Sequence, residues 1–226
     1  RLGKAGLPAH LEDYAFFSQG LLDLYEATLA SEYLIEAKAL TDTTRSLFED
    51  LENGGFFLTA EDREPLLVRA KEIYDGAIPS GNSVMALNLV RLSKFTGDST
   101  YRECAHSLFS AFAGFLQKNP QGAEVLLQAL DFELAPALEI VVCGSPQTQQ
   151  TQSLLRTVNQ RFLPAKVLLN RASDDPDDPI LTVAPFVENH VQINGQATVY
   201  VCQNQTCQFP QTQPEALSEQ LLQSKP

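Results

Sequence analysis

Residues 98–117 read DSTYRECAHSLFSAFAGFLQ, and the spacing of the apolar side chains in this stretch decides the fold class. Apolar residues recur at intervals of three and four, which places them on one face of a helix and leaves Arg102, Glu103 and Ser110 among the residues of the other faces. The apolar positions are Tyr101, Cys104, Ala105, Leu108, Phe109, Phe112, Phe115 and Leu116. We therefore predict an amphipathic helix that packs one side against a core.

Further helices are predicted in the same part of the chain. Residues 10–29 and 31–51 repeat the helical spacing, while residues 82–96 are apolar on nearly all sides and predict a helix that is buried all round. A fifth helix should begin at Asn119 and Pro120, because asparagine is a favoured N-cap and proline is favoured at the first helical position. Short connections predict antiparallel neighbours, so this part of the chain should consist of stacked helical hairpins.

Later in the chain the pattern changes to that of an α/β module. Residues 138–143 and 166–169 are short β-branched runs on either side of a polar amphipathic helix, which is the order of a βαβ unit. Residues 197–201 predict a third strand, and a final helix should open at Thr212 in a capping-box pattern.

We therefore predict a mainly α fold in two domains. Residues 1–135 form the helical region, and residues 136–226 form a small α/β module. With 44% hydrophobic and 19% charged residues, the 226-residue chain has the composition of a soluble globular protein.

The net charge of −12 and the absence of a Lys/Arg cluster predict that nucleic acid is not a partner. No apolar run reaches the length of about 18 residues that a membrane span requires, so we expect no membrane association. The start of the chain has neither an initiator Met nor a signal peptide, and we interpret the chain as part of a longer cytoplasmic protein.

The cysteines and histidines do not match a known ligand set. Cys202 and Cys207 are four residues apart, rather than the two of a redox CxxC motif or a zinc knuckle, so they can pair, pack or, less simply, bind a metal with distant ligands. His10, His106 and His190 lack the spacing of a metal motif, and no phosphate-binding glycine loop occurs. We expect neither a metal nor a cofactor.

A dense polar stretch precedes the most apolar helix. Residues 71–83 read KEIYDGAIPSGNS, and with Arg69 they combine charged, hydroxyl and amide groups on a backbone stiffened by proline. Ser80 or Asn82 can cap the following helix, which explains one of them without any function. The remaining density of donors and acceptors predicts a binding site for a polyhydroxylated ligand.

Glu12, Asp13 and Tyr14 place two adjacent carboxylates near a helix start. The carboxylates can stabilise the positive end of the helix dipole. Alternatively, they can act as a general acid and base.

Three blocks carry a family resemblance: LEDYAFFSQGLLDLYEAT (11–28), residues 53–98 from NGGFFLTAEDREPLLVRAKEIYDG onward, and ATVYVCQNQTCQFPQTQPEAL (197–217). They resemble the C-terminal part of the thioredoxin-domain-containing, spermatogenesis-associated protein 20-like family. The resemblance implies a thioredoxin-like domain followed by an (α/α)6 toroid, similar to that of N-acylglucosamine 2-epimerases and six-hairpin glycosidases. The chain has no Trp and no CxxC, so we expect it to hold only the last helical hairpins of that toroid and the α/β module.

The resemblance also implies a site at the centre of the toroid, where a sugar-like small molecule would bind. The candidate catalytic acids and bases are Glu12, Asp13, Glu72 and Asp75. The candidate substrate-binding residues are Tyr14, Arg69, Lys71, Tyr74, Ser80 and Asn82.

The alternative is a non-catalytic ligand- or protein-binding scaffold that partners a thioredoxin-like domain. In either case the isolated chain should lack activity, because half of the ring wall is missing. The expected natural partner is the missing N-terminal part of the same protein. Uncovered helix faces could instead make the isolated chain a homodimer.

Overall fold

The computed structural model describes residues 6, 8–62, 67–203 and 206–223. Its α-helices within these ranges are α1 (Leu11–Thr28), α2 (Ser31–Phe48), α3 (Gly81–Thr96), α4 (Ser99–Lys118), α5 (Glu124–Leu134), α6 (Gln149–Asn159) and α7 (Pro214–Gln223). The strands are β1 (Leu138–Cys143), β2 (Lys166–Arg171), β3 (Thr198–Gln203) and β4 (Thr206–Cys207). The mainly helical class and the small α/β module are confirmed.

Three predicted boundaries were wrong. Helix α2 ends at Phe48 rather than near residue 51. Asn119 and Pro120 open only a short 3-10 turn, and α5 starts at Glu124, because Ala123 has an extended φ of −148° that interrupts the helix. The last helix begins at Pro214, two residues after Thr212.

Helix α3 lies at the centre of the helical layer. It packs against α1, α4 and α5, and nearly all of its side chains are buried, as the apolar sequence predicted. Two-residue connections join α1 to α2 and α3 to α4, so each pair forms a hairpin. The second connection contains Gly97 at φ 72°, a left-handed conformation that glycine adopts without strain.

The strands form one sheet in the order β2-β1-β3-β4. Strands β1 and β2 are parallel and are joined by α6, which confirms the βαβ unit, while β3 runs antiparallel to β1. Side chains alternate between the two faces of the sheet. Val141 and Leu169 pack into the core of the helical layer, whereas Ile140 and Leu168 pack with α6 and α7 on the other face.

The hydrophobic core continues across the predicted boundary after residue 135. One cluster of buried residues runs from α1 and α3 through Ala137 to Val141 and Val167 of the sheet. The division into two domains therefore stays a prediction.

Strand β2 is an edge of the sheet, and α1 covers it. The backbone N–H of Asn170 donates to the Tyr25 hydroxyl at 3.1 Å, and the N–H of Leu168 donates to Glu26 Oε1 at 3.1 Å. Arg91 of α3 holds the Glu26 carboxylate at 2.9 Å. Side chains thus satisfy edge N–H groups that would otherwise be unpaired.

No helix among the residues placed by the structure is long and apolar enough to cross a membrane.

Candidate functional site

A polar cleft of about 420 Å³ lies between the helical layer and the sheet. The end of α3, the start of α4 and the end of α5 form one wall, and β1, a loop and the β3–β4 pair form the other. The lining residues are Ser93, Lys94, Gly97, Asp98, Ser99, Arg102, Glu133, Ala135, Glu139, Phe186, His190, Cys202 and Cys207.

Two carboxylates in the cleft are nearly buried and each is paired with a cation. The side chains of Glu133 and Glu139 are only 5% and 10% exposed. Glu133 Oε1 accepts hydrogen bonds from Arg102 Nε at 2.6 Å and from His106 Nε2 at 2.8 Å. Lys94 Nζ donates to Glu139 Oε1 at 3.0 Å. Burial of an unpaired carboxylate is costly, and in this cleft each buried acid has a cationic or imidazole partner within hydrogen-bond distance.

Cys202 and Cys207 form a disulfide at the other end of the cleft. They are directly opposite each other in the β3–β4 register, and the sequence left open whether they pair. His190 Nε2 lies 3.8 Å from Cys202 Sγ and 3.6 Å from Cys207 Sγ. Burial lowers the pKa of His190 below its usual value. The imidazole therefore stays neutral at pH 7.

The same three residues are a potential metal-ligand set. One ligand atom each from His190, Cys202 and Cys207 lies within 4.8 Å of the others. Thiolates are the form that binds soft metals, and a disulfide offers none. In the oxidised form shown here, the residues do not fit a metal.

Asp75 joins the starts of two helices. Its Oδ1 accepts the N–H of Ser80, the N-cap of α3, at 2.8 Å, and its Oδ2 accepts the N–H of Val125 in the first turn of α5 at 2.9 Å. The Ser80 hydroxyl in turn accepts the N–H of Ser83, which confirms that Ser80 caps α3.

The Asp75→Asn variant is expected to lower the free energy of unfolding by about 1–2 kcal/mol. An amide has a single acceptor oxygen and no charge to interact with the two helix dipoles. Urea denaturation followed by circular dichroism measures the change. The control is Glu72→Gln, an exposed acid three residues before Asp75, which should stay within about 0.5 kcal/mol of the parent. Equal losses in the two variants would contradict this role of Asp75.

The side chains of Asn82, Arg69 and Lys71 hydrogen-bond to backbone groups of the irregular segment between α2 and α3. The buried Asn82 amide bonds both the N–H and the carbonyl of Phe56, at 2.7 and 2.9 Å. Arg69 Nη2 donates to the carbonyl of Thr59 at 2.6 Å, and its guanidinium lies 4.0 Å from the Phe57 ring centroid.

Lys71 anchors the turn at Gly54 and Gly55. Its ammonium donates to the Gly54 carbonyl at 2.6 Å and pairs with Asp50 at 2.5 Å. The pairing with Lys71 is the main reason that the pKa of Asp50 lies well below its usual value. Both glycines have φ near 74°, a left-handed conformation that glycine adopts without strain.

The remaining predicted site residues lie nearer the surface. Asp13 accepts the N–H of His10 at 2.8 Å, which is the helix-start role left open by the sequence. The Tyr14 ring packs 5.3 Å from that of Phe48. Glu12 lies close to Gly81 at the start of α3, so the structure brings the two predicted groups of site residues to the same region.

Two of these residues present groups to solvent. Glu72 is exposed, and Tyr74 is 63% exposed with its ring against Gly122. Neither predicted group of site residues lines the cleft described above.

The residues of the cleft were not selected from the sequence. Lys94 and Glu139 are 45 positions apart, and Arg102 and Glu133 are 31 apart, so no local spacing connects them. One signal was available: Glu139 interrupts the apolar run LEIVVC, and an acid in a buried strand requires a partner.

The structure defines a helical layer packed on a small α/β sheet, with a polar cleft between them. In sequence, the chain is similar to spermatogenesis-associated protein 20 of Homo sapiens, at 40% identity over 205 residues, which is 90% of this chain and 26% of that protein. The protein of the same name from Mus musculus is 39% identical over 214 residues, 94% of this chain and 27% of that protein.

An uncharacterised protein of Caenorhabditis elegans is 27% identical over 217 residues, which is 96% of this chain and 29% of that protein. No protein-family model matches the chain. The chain therefore spans about a quarter of the length of the curated relatives it matches. The similarity confirms the resemblance to proteins named spermatogenesis-associated protein 20.

Proposed function

We propose that this chain is the ligand-binding part of a longer protein, and that a small sugar-like molecule binds in the polar cleft. The observation that carries the proposal is the cleft itself: about 420 Å³, walled by the carboxylates of Glu133 and Glu139 and by the cations of Lys94 and Arg102. A polyhydroxylated ligand requires donors and acceptors that are already oriented, and ion pairs orient both kinds of group.

Two exposed side chains of the cleft wall support the same class of ligand. The Phe186 ring is 38% exposed and lines the cleft, where it can contact the apolar face of a sugar ring. Arg102 is 59% exposed on its side chain, so a ligand can reach its guanidinium without breaking the pair with Glu133.

The wider expectations from the resemblance belong to this proposal. The two helical hairpins would form part of an (α/α)6 toroid in a cytoplasmic protein that also carries a thioredoxin-like domain. Phe17 and Leu24 support further helices beside α1, because they are seven residues apart on one helix face and are 64% and 46% exposed. The rest of the same protein would cover that face, and a second copy would do so in the isolated chain.

A second candidate site is the stretch from Arg69 to Asn82, with Glu12, Asp13, Glu72 and Asp75 as acids or bases. The exposure of Tyr74 and Ile78, 63% and 62%, favours it, since exposed aromatic and apolar side chains can stack on a sugar. Asp13 and Asp75 already accept backbone hydrogen bonds, which favours binding over catalysis there.

The test is calorimetric titration of the complete protein with a panel of sugars and sugar phosphates. We expect at least one compound to bind. Its affinity should be at least about tenfold lower for Arg102→Met than for the parent, because a hydrogen bond to a charged group is lost. Arg156→Met on α6, an exposed arginine beyond the opposite face of the sheet, is the matched control and should bind as the parent does.

Two outcomes would overturn the proposal for the cleft. One is that no member of the panel binds. The other is that Arg102→Met binds normally while Tyr74→Ala loses binding, which would move the site to the 69–82 stretch.

A further inference from the structure

We propose that Cys202 and Cys207 form a redox-active pair that exchanges with an external thiol at the mouth of the cleft, with His190 as the positioning residue for the leaving sulfur. This activity does not depend on the ligand proposed above. It rests on three features of the same end of the cleft: unequal exposure of the two sulfurs, an imidazole beside both, and open access.

The two cysteines differ in exposure. Cys202 lies on β3 and is 4% exposed, whereas Cys207 lies on the two-residue strand β4 and is exposed. A thiol can therefore approach Cys207 from the cleft, while Cys202 is shielded. Exchange requires access to one sulfur only, so this asymmetry selects Cys207 as the atom attacked.

The His190 ring is held in place by its neighbours. It makes an edge contact with Tyr200, with ring centroids 4.7 Å apart. The Tyr200 hydroxyl donates to the Val191 carbonyl at 2.8 Å, which holds the tyrosine against the loop that carries the histidine. In this position His190 Nε2 can donate a hydrogen bond to either sulfur once that sulfur becomes a thiolate.

The chemistry balances with two equivalents of thiol. The first thiolate attacks Cys207 Sγ, the Cys202–Cys207 bond breaks, and Cys202 leaves as a thiolate that accepts a hydrogen bond from His190. A second thiolate attacks the external sulfur of the mixed disulfide and releases Cys207. The external pair is oxidised to its disulfide, and its two protons end on Cys202 and Cys207.

The other two cysteines do not compete. Cys104 and Cys143 are free and buried, and burial raises the pKa of Cys143 to about 12 and that of Cys104 as well. Neither is a thiolate at neutral pH, and thiolates are the reactive form. The exchange chemistry is therefore confined to the pair at the cleft.

The first experiment equilibrates the complete protein in glutathione buffers with stepped ratios of reduced to oxidised form. After acid quenching and alkylation, mass spectrometry identifies the tryptic peptide that begins at residue 172, in which Cys202 and Cys207 are the cysteines between residues 172 and 226. We expect full and reversible conversion between disulfide and dithiol within the series. A pair that stays in one form at every ratio would overturn the proposal.

The second measurement is the rate of reduction. His190→Gln should slow it about tenfold, the rate equivalent of losing one hydrogen bond to a charged atom, while the matched control His10→Gln should react as the parent does. Thermal unfolding followed by circular dichroism verifies that each variant is folded. An unchanged rate in folded His190→Gln would overturn the role of the imidazole.

A pair of single-cysteine variants tests which of the two sulfurs is accessible to glutathione, the condition on which attack at Cys207 depends. With oxidised glutathione, Cys207 in the Cys202→Ser variant should form the mixed disulfide at least about tenfold faster than Cys202 in the Cys207→Ser variant, because only Cys207 is exposed. Equal rates, or faster reaction of Cys202, would contradict attack on Cys207.

Discussion

Replacing Asn82 by alanine is expected to lower the free energy of unfolding by about 3 kcal/mol, the largest effect predicted for a single substitution in this chain. Asn82 is 1% exposed and lies in the first turn of α3. Its Oδ1 accepts the N–H of Phe56 at 2.7 Å, and its Nδ2 donates to the carbonyls of Phe56 and Glu72 at 2.9 and 2.8 Å. The side chain thus pairs with the backbone of two extended segments as a neighbouring strand would.

The expected loss follows from the groups that the substitution leaves behind. Alanine removes the partners of one buried N–H and of two carbonyls, and each unsatisfied buried group costs about 1–3 kcal/mol. Some of this is recovered if water enters, so we place the sum near 3 kcal/mol. Urea denaturation followed by circular dichroism measures it.

Asn88→Ala is the matched control for Asn82→Ala. Asn88 is equally buried on the same helix, and among the residues that the structure describes its amide makes one hydrogen bond, to the carbonyl of Ala15 at 2.8 Å. The free energy of unfolding should fall less in Asn88→Ala than in Asn82→Ala, by about 1–1.5 kcal/mol. If both variants lose the same free energy, the cavity left by the side chain, rather than the hydrogen bonds of Asn82, dominates.

Tyr25→Phe is expected to lower the free energy of unfolding by about 2 kcal/mol. The Tyr25 hydroxyl is buried and accepts the N–H of Asn170 on the edge strand β2. Phenylalanine keeps the shape of the ring but leaves this N–H unpaired in the interior. Because β2 is the edge strand of the sheet in the part of the chain that the structure describes, no neighbouring strand there can replace the lost acceptor.

The same denaturation assay tests Tyr25→Phe, with Tyr33→Phe on α2 as the matched control. Tyr33 is half-buried, so its hydroxyl can reach water. The free energy of unfolding of Tyr33→Phe should therefore stay within about 0.5 kcal/mol of the parent. Hydrogen exchange gives a second measurement: the Asn170 amide proton should exchange faster in Tyr25→Phe than in the parent, because it has lost its acceptor. A loss for Tyr33→Phe as large as for Tyr25→Phe would contradict the assignment.

The two predictions concern contacts of the fold that lie outside the cleft. Asn82 ties the irregular segment to α3, and Tyr25 ties α1 to β2. Both walls of the cleft are attached to α3 or to the sheet, so weakening either contact should loosen the cleft as well as the fold. The binding and exchange measurements above are therefore interpretable only on variants whose unfolding has been checked.

Local periodicity determined much of the fold. The spacing in residues 98–117 predicted α4, and residues 82–96, apolar on nearly all sides, predicted that α3 is buried all round. Both predictions are possible because residues three and four apart in the chain lie on the same face of a helix. Ser80 and Asn82 were both candidate caps because they stand at the start of α3, and the structure selects Ser80, whose hydroxyl accepts the N–H of Ser83 three residues away. Interactions within one turn can be read from the order of residues alone.

The candidate cleft could not be read in this way. The sequence pointed to polar density in 69–83, but in the structure Asp75 and Asn82 hydrogen-bond to backbone groups 50 and 26 positions away along the chain. Polar density does not distinguish a side chain that braces the backbone from one that binds a ligand, because both require the same donors and acceptors.

What the sequence determined by itself is the order of the helices and of strands β1 to β3, and the choice of Ser80 or Asn82 as the cap of α3. What only the tertiary structure decided is which charged groups meet: Lys94 with Glu139, Arg102 with Glu133, and His190 with the Cys202–Cys207 pair. The physical reason is that local patterns depend on intervals of a few residues, whereas a cleft forms where elements far apart in the chain pack together. Its chemistry therefore appears only once the helical layer lies on the sheet.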